Sequence, residues 1–125
     1  YSRITVQFDG EETNKQQLIN QLYKLPDVCS IRELRGEDSV SCELMLIKMK
    51  NDGATREQVF AAANAFGAIT ADYAKDSIVF QLVGDQRKID SFIELMREYT
   101  ILELCRTGIV SLEQGSSTIR KVTNI

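Results

Sequence analysis

A chain that does chemistry unaided has to bring nucleophiles, bases or metal ligands within reach of one another, and this sequence is short of the usual means. It contains no histidine, which removes Ser-His and Cys-His pairs and the commonest transition-metal ligand together. The three cysteines, Cys29, Cys42 and Cys105, are isolated from one another, so they are no disulfide framework and fit a reducing compartment. Each has apolar, strand-like neighbours, and burial as a small hydrophobe is expected. The acidic pairs Glu11-Glu12 and Glu37-Asp38 lie in turn or linker sequence, where solvated charge is expected in place of a general acid–base pair. Asp72 and Asp76 flank a reversal, and without EF-hand spacing they offer too few oxygens for a hard cation. Gly84-Asp85 is a lone turn, far from a phosphate-cradling glycine pattern. Met45, Met49, Phe60 and Phe66 read as core. No catalytic, cofactor-binding or metal-binding residue is assigned.

Composition sets the frame for the elements. At 125 residues, 43% hydrophobic and 26% charged, the chain is globular and makes one ordinary domain or two very small ones. A net charge of −3 and a pI near 5.0, with Lys and Arg scattered, argue against a general nucleic-acid binder, which carries a basic patch or stripe. No apolar run approaches the roughly 20 residues that span a bilayer, and Tyr1-Ser2-Arg3-Ile4 lacks the layout of a signal peptide. A cytoplasmic protein is expected.

Along the chain, Arg3–Phe8 alternates with Ile4, Val6 and Phe8 on one face, which predicts a strand ended by Asp9-Gly10. Leu18, Ile19, Leu22 and Leu25 fall at helical spacing, with Thr13 as N-cap and Gln16 as its capping-box partner, and the helix must stop before Pro26. Val28–Leu34 reads as a further strand, and Gly36-Glu37-Asp38-Ser39 is the most linker-like stretch. A second series then begins: strand Cys42–Lys50; a helix capped by Thr55, with Val59, Phe60, Ala63 and Phe66 inward and Gly67 as its stop; strands 68–73 and 77–83; a helix over 86–99 with Ile89, Phe92, Ile93 and Met96 inward; and a last strand opening at Ile101. Alternation in that last strand puts Leu102, Leu104 and Arg106 on one face and leaves Gly108 for a bulge or bend. A polar tail, expected to be loose, follows Gly115.

The order strand, helix, strand, strand, helix, strand over residues 42–114 is the split-βαβ, ferredoxin-like arrangement of an α+β domain. The first part repeats only its second half. Laying Gly10 on Gly84 superposes Ile4 on Ile78, Val6 on Phe80, Phe8 on Leu82, Leu18 on Phe92, Ile19 on Ile93, Leu22 on Met96 and Val28 on Leu102. On this reading a strand and a helix of the first unit lie before Tyr1.

The stretch Ile101-Leu102-Glu103-Leu104-Cys105-Arg106-Thr107-Gly108 closely resembles the ILELVRTG signature of the small, regulatory subunit of acetohydroxyacid (acetolactate) synthase. Further matches follow in that family's order: Ser2–Val6, Gln21–Val28, Glu43–Lys48, and Asp76-Ser77 through Gly84-Asp85. The chain departs from the usual pattern at Pro26, Met49, Cys105 and Ile109, all positions of packing.

The resemblance implies an ACT domain, of which 1–36 is the second half, a linker over 37–41, a ferredoxin-like C-terminal domain over 42–114 and a tail over 115–125. It implies a non-catalytic subunit that activates a thiamine-diphosphate-dependent catalytic large subunit and mediates feedback by branched-chain amino acids such as valine. Thiamine diphosphate, magnesium and FAD would belong to that large subunit, and this chain would carry no cofactor. The family's effector loop falls before Tyr1, so no effector-binding residue is carried over. A homodimer or higher assembly is expected, because the first unit leaves an open strand edge and an uncovered apolar face of Ile4, Val6, Phe8 and Leu22. The alternative is a ligand-sensing ferredoxin-like module of a transcriptional regulator, such as a nickel-responsive repressor; the missing histidine and basic arm weigh against it.

Overall fold

The computed structural model describes residues 1–119. The chain forms two compact units: Cys42–Val110, and Tyr1–Ser41 together with the chain from Ser111 onward. Each is taken by itself.

The elements of the chain are α1 (Glu12–Tyr23), a single 3-10 turn (Gly36–Asp38), β1 (Ser39–Lys50), α2 (Arg56–Phe66), β2 (Ile69–Tyr73), β3 (Ser77–Gly84), α3 (Gln86–Met96) and β4 (Ile101–Glu113). The four strands form one sheet in the order β2-β3-β1-β4. β1 runs antiparallel to β3, from Glu43 opposite Gly84 to Lys50 opposite Ser77, and β3 runs antiparallel to β2. This is the expected ferredoxin-like order for an α+β domain.

Alternation dictates the layers of the unit 42–110. Met45, Ile47 and Met49 of β1 and Ile78, Phe80 and Leu82 of β3 are buried, every second residue along each strand, as a sheet with one covered face requires. The covering layer is α2, which buries Val59 and Ala63, and α3, which buries Ile89, Phe92, Ile93 and Met96. Two ring contacts tie the layers: Phe66 to Phe92 at 5.2 Å between helices, and Phe60 edge-on to Phe80 at 5.5 Å between α2 and β3. Full burial of a side chain such as Phe80 stabilises by about 1.5–3 kcal/mol. Among the described residues, all the buried hydrophobic ones lie in this unit.

Helix ends follow local chemistry. Gly67 takes φ 74°, and the Ala68 amide donates to the Ala63 carbonyl at 2.9 Å, a left-handed C-terminal stop that a residue with Cβ resists. Asp85 caps α3, its carboxylate accepting from the Lys88 amide at 2.8 Å. Thr55 is the N-cap of α2 by position but makes no side-chain cap.

The other unit departs from expectation. The N-cap of α1 is Glu11, without a side-chain cap, in place of Thr13; the ladder already starts with the Lys15 amide on the Glu11 carbonyl, and acidic residues at the helix start suit its dipole. The segments 3–8 and 28–34 form no strand, since alternation alone makes no strand without a partner to take its backbone hydrogen bonds. The repeat is visible in pattern yet not in burial. Ile78, Phe80 and Leu82 are at most 1% exposed, whereas Ile4, Val6 and Phe8 are 83%, 60% and 40% exposed, and α1 buries no residue. Residues 120–125 of the expected tail lie outside the described residues.

Candidate functional site

The signature stretch is the edge strand β4, and its arginine organises the largest polar cluster of the unit 42–110. Glu43 sits at an inward position of β1, in step with Met45, Ile47 and Met49, and is 2% exposed. A carboxylate there needs a partner, because burying an unpaired charge is costly. Arg106 supplies it with two nitrogens: Nε donates to Glu43 Oε1 at 2.5 Å and Nη2 to Oε2 at 3.0 Å. The third, Nη1, donates to Asp90 Oδ1 on α3 at 2.7 Å. The fork geometry of guanidinium matches a carboxylate in this two-point manner. Hydrogen bonds to Glu43 first, then to Asp90, push the Arg106 pKa further up against the desolvation that opposes them, so its charge is fixed. The cluster joins β1, β4 and α3.

Gly108, the position left for a bulge or bend, takes φ 79° beside this arginine, and the Leu44 amide of β1 donates to the Thr107 hydroxyl at 3.1 Å. The hydroxyl in turn donates to the Gly108 carbonyl at 2.8 Å. Arg106 reaches Glu43 although simple counting put it with the exposed Leu102 and Leu104.

The face of the sheet away from the helices is apolar. Leu46, Val83, Ile69, Leu102 and Leu104 are exposed there, and Leu46, Lys48, Val79 and Leu104 share a shallow hollow of about 270 Å³. Exposed apolar side chains gathered on one face of a sheet are a feature of association surfaces.

In the other unit, Lys15 of α1 bridges Glu12 at 2.6 Å and Glu33 at 2.8 Å. The hydrogen bonds to Glu12 and Glu33 raise the lysine pKa, and the bond from Lys15 holds the Glu33 carboxyl below the usual range. Arg32 pairs with Glu113, Nε to Oε1 at 2.6 Å.

The three cysteines are all exposed, a correction to the expected burial. The inward positions of β1 and β3 are taken by larger side chains such as Met45, Ile47 and Phe80. Glu11, Glu12, Glu37, Asp38, Asp72 and Asp76 lie on the surface, and no group of three or more metal-ligating side chains occurs among the described residues. Met45 and Met49 are fully buried and Phe60 and Phe66 pack against the core. Glu43 and Asp90 escaped sequence reasoning as partners of Arg106. The signal was there for Glu43, a charged residue in phase with three inward hydrophobics. For Asp90, on α3, no comparable signal exists.

Comparison with known proteins assigns this architecture. The sequence profile of the family described as the small subunit of acetolactate synthase matches residues 42–115. A probable acetolactate synthase small subunit from Archaeoglobus fulgidus is 36% identical over 115 residues, covering 92% of this chain and 72% of that protein. The acetolactate synthase small subunit of Bacillus subtilis is 37% identical over 117 residues, covering 92% and 67%. Among solved structures, the acetolactate synthase small subunit from Thermotoga maritima superposes with a TM-score of 0.77 at 25% identity, covering 87% of this chain and 68% of that one. The fold is that of a ferredoxin-like α+β protein with an open sheet face. The chain belongs to the acetolactate synthase small-subunit family. No helix among the described residues is long and apolar enough to cross a membrane.

Proposed function

We propose that this chain is a non-catalytic regulatory subunit: it binds a thiamine-diphosphate-dependent catalytic large subunit of acetolactate synthase, raises its activity and takes part in feedback control by branched-chain amino acids. The observation that carries this reading is the family match, which spans the whole sheet domain and, in the Archaeoglobus relative, 92% of the chain. A composition without histidine, and carboxylates such as Glu43 and Asp90 that are taken up by an arginine, are in keeping with a partner that supplies the chemistry. In this reading residues 1–36 are the second half of an ACT domain, 37–41 a linker, 42–114 the ferredoxin-like domain and 115–125 a tail. No effector-binding residue is assigned within the sequence.

Regulation then works by population shift, in which a ligand that binds one arrangement of paired domains better than another biases the bound enzyme by its difference in affinity. The exposed Ile4, Val6 and Phe8 favour a homodimer or higher assembly. Co-purification tests the partnership: a catalytic subunit from the same source should elute with this chain as a stable complex in size-exclusion chromatography, and separate elution at micromolar concentrations of both would count against the reading.

A further inference from the structure

The sequence holds two Asp-Gly steps, Asp9-Gly10 and Asp52-Gly53. In such a step the aspartate carboxyl carbon and the next amide nitrogen can close a five-membered ring, and glycine puts no side chain in the way of the approach. Whether the ring closes depends on how freely the two atoms reach an attacking geometry. The fold treats the two steps differently.

Asp52 sits in the loop from β1 to α2, where its carboxylate accepts from the Ala54 amide at 3.0 Å and its carbonyl from the Thr55 amide at 3.1 Å. The residue before it is anchored as well. Asn51 is 9% exposed, donates its side-chain amide to the Ala74 carbonyl at 2.7 Å and accepts from Arg56 Nε at 2.7 Å, and its main-chain amide donates to the Asp76 carbonyl at 3.0 Å. Turning the Asp52 carboxyl toward the Gly53 nitrogen breaks the bond to Ala54 and moves a main chain pinned on both sides. Asp9 and Gly10 lie ahead of α1, outside any element, and both are exposed. Among the described residues neither makes a hydrogen bond or an ion pair.

We infer that Asp9 is a site of spontaneous conversion to a β-linked, isoaspartyl residue, and that Asp52 is kept from the same reaction by its loop. The Gly10 nitrogen bonds to Asp9 Cγ, the amide proton and a hydroxyl of the protonated carboxyl leave together as water, and a succinimide results. Water then opens the ring. Entry at Cγ restores aspartate, whereas entry at the former main-chain carbonyl leaves the chain running through Cγ, one methylene longer, with a free carboxylate on Cα. That carboxylate is the group a protein isoaspartyl methyltransferase takes. Loss of two ordinary hydrogen bonds before attack corresponds to about tenfold or more in rate, which is the disparity expected between the two steps. The inference is independent of the regulatory reading.

Trypsin places Asp9 in the peptide 4–15 and Asp52 in the peptide 51–56. After ageing of the folded 125-residue chain in mildly acidic buffer, the peptide 4–15 should show a second form of equal mass and shifted retention, labelled by an isoaspartyl methyltransferase with S-adenosylmethionine and formed at least tenfold faster than any counterpart in 51–56. Asp9→Glu should abolish it with circular dichroism unchanged, since the longer side chain must close a larger ring. Ageing in guanidinium chloride removes the fold, and the two steps should then react within about threefold of each other. No labelled form of 4–15, equal rates at the two steps in the folded chain, or a tenfold disparity that persists in guanidinium chloride overturns the inference.

Discussion

Arg106 holds Glu43 with two of its nitrogens and Asp90 with the third. One side chain of the edge strand thereby neutralises a carboxylate whose residue is 2% exposed on β1 and reaches across to α3. Arg106→Ala leaves that carboxylate buried alone, and loss of one partner of a buried pair costs about 3–5 kcal/mol. Partial water access to the Arg106 side chain, 30% exposed, places the expected loss toward the lower end. Glu43→Met combined with Arg106→Leu should recover most of it, because a pair replaced by apolar groups strands no charge. Urea unfolding midpoints of the two single variants and the double variant check this. Additive losses would mean that the pair does not act as a unit.

The unburied half of the repeat makes a paired comparison. Ile78→Ala removes a fully buried side chain and should cost about 2–5 kcal/mol, whereas Ile4→Ala, at the equivalent position and 83% exposed in the single chain, should stay within about 0.5 kcal/mol at dilutions where the chain is monomeric. Thermal unfolding of the two variants at equal concentration decides it. A large loss for Ile4→Ala that grows with protein concentration would reveal a partner covering that face.

Gly67 and Asp85 end and begin their helices by different means. Gly67→Ala meets no neighbouring atom within 4 Å yet must hold φ 74°, so about 1–2 kcal/mol of backbone strain is expected. Asp85→Ala should cost about 1 kcal/mol, as the Lys88 amide loses its acceptor. The Gly67→Asn variant should fall between wild type and Gly67→Ala, since asparagine tolerates the left-handed region better. Chemical denaturation of the three variants measures the order.

A pH dependence follows from Lys15 and Glu33. The folded Glu33 pKa is lowered, so its contribution is fully present above the unfolded carboxylate value, about 4.3, and is lost as pH falls through the lower folded value. The folded Lys15 pKa is raised, so its contribution is present below the unfolded lysine value, about 10.4, and is lost as pH rises through the higher folded value. Wild type and Glu33→Gln should differ in stability across the plateau between these limits and converge below the acid one. NMR titration of the Glu33 carboxyl should give a midpoint below the ordinary glutamate value, about 4.3. A midpoint at that ordinary value would remove the pairing.

Most of the sheet domain was legible because its strands and helices bury one face each. The period-two run from Glu43 to Met49 and the helical spacing of Ile89, Phe92, Ile93 and Met96 state directly what the core contains, and Gly67 marks its helix end by a property only glycine supplies cheaply. The N-terminal elements were over-read. Ile4, Val6 and Phe8 alternate as a strand does, but strand formation belongs to a pair, and no pairing partner is present among the described residues. The Arg106 cluster was half legible. Gly108 was foreseen as a place of special backbone, and its positive φ is there, whereas the turn of Arg106 toward Glu43 was not foreseen, since strict alternation set it with Leu102 and Leu104. The cysteines were misjudged for a similar reason, since apolar neighbours along a strand do not say which face a residue takes.

The rate of acetolactate formation from pyruvate, followed as this chain is titrated into a catalytic large subunit from the same source, tests the central claim most directly. A saturable rise in the maximal rate, with a plateau at a fixed ratio of the two chains, is the result the regulatory reading predicts. A rate unchanged at every ratio, with both chains folded and mixed at concentrations well above micromolar, would contradict it.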